Sequence, residues 1–318
     1  MINQEVVQLV DRFQRIELHA AHSGREVLRV LINLLLESKE TSVSGLTEVL
    51  HENISFLLPS LPPYAPPLNN INRILLLLEN ASTDNSGVDI LKNQLEALSK
   101  DTTDPISNRK RIAQDLAAIL PPNAVVYTHT LSETVLGVLL ELHHMEKLKS
   151  VRVTESRPNN DGWETAKRLA EKNLSVQITI DAAMPATIEN SHLMLSGAEI
   201  INQDGSVVGK IGAYPAAVFC QKYGKPLYIV ADSNKINRIQ WSDFYFNPIS
   251  AQDLGMDFTN PSLHITGSFF DITPPNLINA YATEVGIIEA SEIPSIISNM
   301  PVSGWLVQQL REGITGNN

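Results

Sequence analysis

A single cysteine, Cys220, stands in 318 residues. That excludes an intramolecular disulfide and a zinc site built from cysteine pairs, and it suits a reducing compartment. Positive charge is also scarce, with 24 Lys and Arg against 35 Asp and Glu and a formal net charge of −11. General nucleic-acid or membrane-surface binding needs a basic field, so neither is expected. Long apolar runs are missing too. The cluster ILLLL at Ile74–Leu78 falls far short of the roughly 20 residues of a membrane helix. The start, MINQEVVQLVDRF, carries Glu5 and Asp11 and lacks the basic opening of a signal peptide. No G-x-x-x-x-G-K-[ST] occurs, which excludes a P-loop, and no G-x-G-x-x-G follows a strand-like run to support a dinucleotide site. These absences point to a cytoplasmic protein without membrane contact, cofactor or metal.

What is present is an ordinary globular composition, 43% hydrophobic and 19% charged, long enough for one large domain or two smaller ones. The first third reads as helical. Val6, Val7, Val10, Phe13 and Ile16 recur at three- and four-residue spacing, as do Val27, Leu31, Leu34 and Leu35. A third helix over SVSGLTEVLHENISFLL is stopped by PSLPPYAPP. Two more helical windows, LNNINRILLLLENA and VDILKNQLEALSK, precede DPISNRKRIAQDLAAIL, which leads to a junction at Pro121 and Pro122. Beyond it β-rich runs alternate with helical windows about five times, from AVVYTH to PLYIVAD. That alternation predicts a parallel sheet flanked by helices. The expected class is α/β, with a helical N-terminal domain over 1–120 and a Rossmann-like sheet domain over 121–318.

An open parallel sheet binds ligands beyond the carboxyl ends of its strands. The first strand ends in Thr128, His129, Thr130 and Ser132, the second in Glu155, Ser156 and Arg157, and the third in Asp181. The fourth is expected to end at Glu199 and the fifth at Asp232 and Lys235, with Lys210 before a glycine turn at Gly212 between them. Each has a plainer reading. Ser132 and Asp181 suit helix N-caps, and His129 suits a satisfied core histidine. Arg157, Lys210 and Lys235 with several hydroxyls predict an anionic, polyhydroxylated ligand such as a sugar phosphate, the Arg fork being the best phosphate partner. Histidine pairs give little: His143 and His144 are adjacent and face apart on a helix, and His19 with His22 lacks a third ligand.

The stretches THTLS, TESRPNNDGWETAKRLA, TIDAAM, SGAEIINQDGSVVGKIGAYPAAVFCQKYGKPLYIVAD and GSFFDITPPNLINAYATEVGII, in this order, resemble the translation initiation factor 2B alpha/beta/delta family. That family includes methylthioribose-1-phosphate and ribose-1,5-bisphosphate isomerases. The resemblance implies a dimer built through the sheet domain, further assembly with protein partners, and a phosphorylated sugar or nucleotide as ligand. In catalytic members a cysteine stands where this chain has Thr130, and an aspartate where it has Glu199. The R-G-A turn falls on His22–Gly24, and the asparagine before the lysine is Gly209. Arg157, Asp181, Lys210, Gly212 and Lys235 match the pattern. Proton transfer between C1 and C2 needs a group that titrates near neutral pH, and an unactivated threonine hydroxyl does not. Two readings stay open: an alpha-subunit-like ligand binder without isomerase activity, and an aldose–ketose isomerase using Glu199 as base with Thr130 or His129 as donor.

Overall fold

The computed structural model describes residues 2–15, 20–62, 64–84, 87–101, 105–238, 248–258 and 260–315. Ile16 and His19 lie outside them. Two compact units emerge, one of Met1–Asp104, Asn234–Phe244 and Ile297–Asn318, the other of Pro105–Ser233 and Tyr245–Ile296.

The first unit begins with α1 (Gln4–Gln14), α2 (Ala20–Glu37), α3 (Val43–Leu57), α4 (Ala65–Thr83) and α5 (Val88–Asp101). Asn3 and Ser42 cap α1 and α3 by accepting the N–H of Glu5 and Gly45. The buried stripe of α1 is Val6, Leu9, Val10 and Phe13, and Val7 falls just off that face and is exposed. Leu46, Leu50, Ile54 and Leu57 form the α3 stripe, while Val27, Leu31, Leu34 and Leu35 on α2 join the same core. The proline segment ends α3 as its sequence predicts, but its last two prolines belong to a helix. Pro66 and Pro67 occupy the first turn of α4, where a missing N–H leaves no bond unmade. Three buried asparagines on α4 then anchor returning chain. Asn69 donates to the carbonyls of Asn234 and Ile236, Asn70 to that of Gly24, and Asn72 to that of Pro301 while accepting the N–H of Ser303.

The second unit opens with α6 (Pro105–Ile119), whose Ile112, Ala113 and Leu116 pack into the sheet core. There follow β1 (Ala124–Thr128), α7 (Glu133–His144), β2 (Leu148–Thr154), α8 (Asp161–Ala170), β3 (Val176–Thr179), α9 (Met184–Glu189), β4 (Leu193–Ser196), β5 (Ile200–Ile201), β6 (Val207–Lys210), α10 (Ala213–Lys222), β7 (Leu227–Val230), β8 (Phe270–Thr273), β9 (Ala280–Thr283), β10 (Gly286–Glu289) and α11 (Ile293–Ser298). Seven strands make one sheet in the order β10-β9-β7-β4-β1-β2-β3. All pairings in it are parallel except β9 with β10. The strand order reverses between β1 and β4, the topological switch point of an open α/β sheet.

Two features depart from the sequence reading. A separate antiparallel sheet, β5-β6-β8, interrupts the alternation after β4. The last described helix, α12 (Gly304–Thr315), buries Leu306 and Leu310 in the core of the first unit. No helix among the described residues is long and apolar enough to cross a membrane.

Candidate functional site

A shallow, half-open cavity lies beyond the carboxyl ends of β1 and β2. Thr130 comes from the β1 tip, Ser156 to Asn159 from the β2 tip, and Asp161 from the first residue of α8; Lys210, Ile211 and Phe269 close the side contributed by the small sheet. Thr130, Ser156 and Arg157 from the strand ends, with Lys210 from before the glycine turn, therefore line one cavity.

The backbone around it is unusual. Thr130 (φ 61°), Ser156 (φ 63°) and Asn160 (φ 59°) are all left-handed without being glycine. For a β-branched threonine this is a rare and costly conformation, the kind that clusters at binding sites. Hydrogen bonds hold it. The Thr130 N–H donates to Ser156 Oγ at 2.8 Å, its carbonyl accepts from Thr165 Oγ1 at 2.9 Å, and its Oγ1 donates to Asp161 Oδ2 at 3.3 Å. Asp181 locks the neighbouring turn, its Oδ1 accepting the N–H of Ser156 at 2.9 Å and its Oδ2 the N–H of Arg157 at 2.7 Å. That turn presents the exposed Arg157 side chain, whose Nη2 donates to the Leu254 carbonyl at 3.3 Å. Lys210 Nζ lies 3.9 Å from Asp161 Oδ2 and 5.0 Å from the centre of the Phe270 ring.

His129 sits behind the cavity, not in its lining, and is 2% exposed. Its Nε2 lies 2.7 Å from the Ile211 carbonyl, which can only accept, so Nε2 carries a proton. Burial pushes the imidazole below its ordinary pKa, so Nδ1 is left to accept from Thr154 Oγ1 at 3.0 Å, which in turn accepts from the Tyr127 hydroxyl. This is the satisfied core histidine. Gly212 (φ 102°) is required beside it, because a Cβ there would meet Nε2 at 2.5 Å. Thr128 is buried at the end of β1. Ser132 caps α7 by accepting the Val135 N–H and rests against Gly197.

Two acidic and basic candidates fall elsewhere. β4 ends at Ser196, and Glu199 immediately precedes β5 of the small sheet, where its N–H donates to the Val208 carbonyl; Glu199 is not part of the cavity lining. Lys235 lies in a 3-10 turn, Ser233–Lys235, within the segment assigned to the first unit, and is not among the lining residues. Cys220 cannot stand in for the missing thiol. It is buried in α10 against Met194 Sδ, and burial pushes its pKa up to about 12. Asp161 and Phe269 stand outside the strand tips, so strand-end position alone does not point to them.

Asp271, on β8 of the small sheet, caps α10, its Oδ2 accepting the N–H of Gly212 at 2.8 Å and of Tyr214 at 3.1 Å, while Oδ1 is buried without a partner. Burial raises its pKa from 3.8 to about 6 against the pull of those N–H groups. Between these values the folded chain keeps a proton that the unfolded chain releases, so this group lowers stability as pH rises, by about 3 kcal/mol in full. His129 acts the other way: below about pH 6.5 the unfolded chain takes up a proton that the buried imidazole refuses. Asp271→Asn keeps one acceptor and removes the opposing term. Urea midpoints taken from pH 4.5 to 7.5 are expected to fall more steeply on acidification in the variant than in the parent chain. Parallel curves would contradict this balance.

The chain matches the sequence profile of the Initiation factor 2 subunit family over residues 19–290. It is 28% identical over 280 residues to translation initiation factor eIF2B subunit alpha of Dictyostelium discoideum, covering 84% of this chain and 87% of that one. It is 27% identical over 242 residues to methylthioribose-1-phosphate isomerase of Caldanaerobacter subterraneus subsp. tengcongensis, covering 69% and 68%. Among solved structures, 5-methylthioribose 1-phosphate isomerase from Pyrococcus horikoshii OT3 shares the fold with a TM-score of 0.70 at 20% identity, over 97% of this chain and 88% of that one. With its profile match spanning most of the sequence and its helical region followed by a mostly parallel sheet, this chain belongs to the Initiation factor 2 subunit family, in which eIF2B subunits and isomerases are both its relatives.

Proposed function

We propose that this chain is an alpha-subunit-like member of the family that holds a phosphorylated sugar or nucleotide in the cavity and does not isomerise it. The observation that carries this reading is the state of Thr130. Its hydroxyl lines the cavity but donates to Asp161, and the nearby His129 has both ring nitrogens committed to the core. Paired with a carboxylate and not with an imidazole, a threonine hydroxyl does not replace a thiol as the proton shuttle. Arg157 and Lys210 supply the cationic groups for a phosphate, with Asp181 and Gly212 fixing the turns that carry them. Thr128, His129 and Ser132 support the wall. On this reading the chain works in the cytoplasm as a homodimer or larger assembly built through residues 121–318, alongside protein partners.

The competing reading, an isomerase with Glu199 as base, draws on the similarity to methylthioribose-1-phosphate isomerase. One assay separates the two. Purified chain is incubated with ribose 5-phosphate, AMP, ribose-1,5-bisphosphate and methylthioribose-1-phosphate, while thermal unfolding and ketose formation are both followed. A saturable rise in Tm without turnover is expected; a ligand at about 100 times its Kd stabilises by roughly 2.7 kcal/mol. Turnover that Glu199→Gln abolishes would establish the isomerase instead. No shift with any of the four would remove the ligand site altogether.

A further inference from the structure

Asp161 is out of place in an anion pocket. As the first residue of the ten-residue α8 it suits the helix dipole, and a solvated helix-end carboxylate would be a sufficient account of it. Its position argues for more. Asp161 lines the cavity, and its Oδ2 lies 3.9 Å from Lys210 Nζ and accepts a hydrogen bond from the Thr130 hydroxyl. Lys210 is itself steadied over the Phe270 ring, so the pair is not two loose surface chains. The charged groups of the lining are thus Arg157 and Lys210 on one side of the balance and Asp161 on the other. The cavity has one cation in excess, matched to one phosphate of about −1.5 to −2 charge and not to two. With Lys210 already facing a carboxylate, Arg157 is the cation left to meet that phosphate.

We infer that Asp161 sets the specificity of this cavity: it accepts hydrogen bonds from ligand hydroxyls and turns away a second phosphate. The ligand class is then a sugar monophosphate that presents free hydroxyls at the Asp161–Thr130 edge. A carboxylate accepts from a hydroxyl but meets a phosphate oxygen with charge against charge. This inference rests on the ligand-binding reading above.

The test measures binding of ribose 5-phosphate, ribose-1,5-bisphosphate and inorganic phosphate to the full chain by calorimetry, with Asp161→Asn and Asp161→Ser as variants. Both substituents tolerate a helix start, so at least one folded variant is expected. The parent chain is expected to prefer ribose 5-phosphate to the bisphosphate at least tenfold, and each folded variant to lose or reverse that preference. A preference unchanged in the variants, or a parent chain that favours the bisphosphate, would overturn the role of Asp161 while leaving the ligand site intact. No binding of any of the three would instead overturn the site, and this inference with it.

Discussion

Gly162→Ala is expected to destabilise the sheet unit by about 3 kcal/mol or more, against the usual gain of roughly 0.5–1 kcal/mol for alanine within a helix. A Cβ at this position would lie 1.8 Å from the Thr154 carbonyl oxygen and 2.9 Å from its carbon. Both are backbone atoms at the end of β2, so no rotamer change relieves the contact. The start of α8 would have to move off the sheet by roughly 1 Å, breaking the bond from the Gly162 N–H to the Glu155 carbonyl. Gly137→Ala is the control. Its Cβ would press on the Arg109 side chain, which can swing aside, and a change of less than about 1 kcal/mol is expected. Chemical denaturation followed on the transition of the second unit distinguishes them. Equal midpoints for the two variants would show that α8 does not depend on this close approach. Because Asp161 immediately precedes Gly162, the displacement is expected to reach the cavity edge as well.

This glycine illustrates what a single sequence does and does not disclose. The β-rich runs after Pro121 gave away the parallel sheet because buried parallel strands are short, continuous and apolar, as in Ala124–Thr128. Strand tips are then easy to locate, and three tip residues do share the cavity. Glu199 looks like a tip in the sequence because SGAE follows an apolar run, yet the run ends at Ser196 and a two-residue strand, too short to show periodicity, begins one residue after Glu199. Asp161 was hidden for the opposite reason. It stands seven residues beyond β2 at a helix start, and what brings it to the cavity is left-handed backbone at Ser156 and Asn160, for which serine gives only a faint local signal. The return of α12 to the first unit rests on Leu306 and Leu310 joining a distant core, a contact with no local signature. His129 shows that composition of a tip is not its orientation: three polar groups behind the sheet edge claim the ring.

Asp181 is the residue on which ligand affinity is expected to depend most, although it donates nothing to a phosphate. Its two carboxylate oxygens take the N–H groups of two successive residues, one of them on Ser156, which is buried and left-handed. In Asp181→Ala the buried Ser156 residue loses the acceptor of its N–H, and hydrogen bonds to a charged group contribute about 1.5–3 kcal/mol each. A stability loss of roughly 2–3 kcal/mol is expected. On the proposed function the same disorder must be removed again when a ligand engages Arg157, so the lost energy reappears as Kd weakened by roughly 30- to 100-fold. Asp181→Asn discriminates this mechanism from a simple charge effect. Its amide oxygen can still accept one of the two N–H groups while its nitrogen would face the other, so the asparagine is expected to fall between the alanine and the parent chain. Calorimetric titration with ribose 5-phosphate, alongside urea unfolding, checks both parts. If Asp181→Asn binds as the parent chain does, the turn is not held by the paired oxygens, and Arg157 is positioned by its other contacts alone.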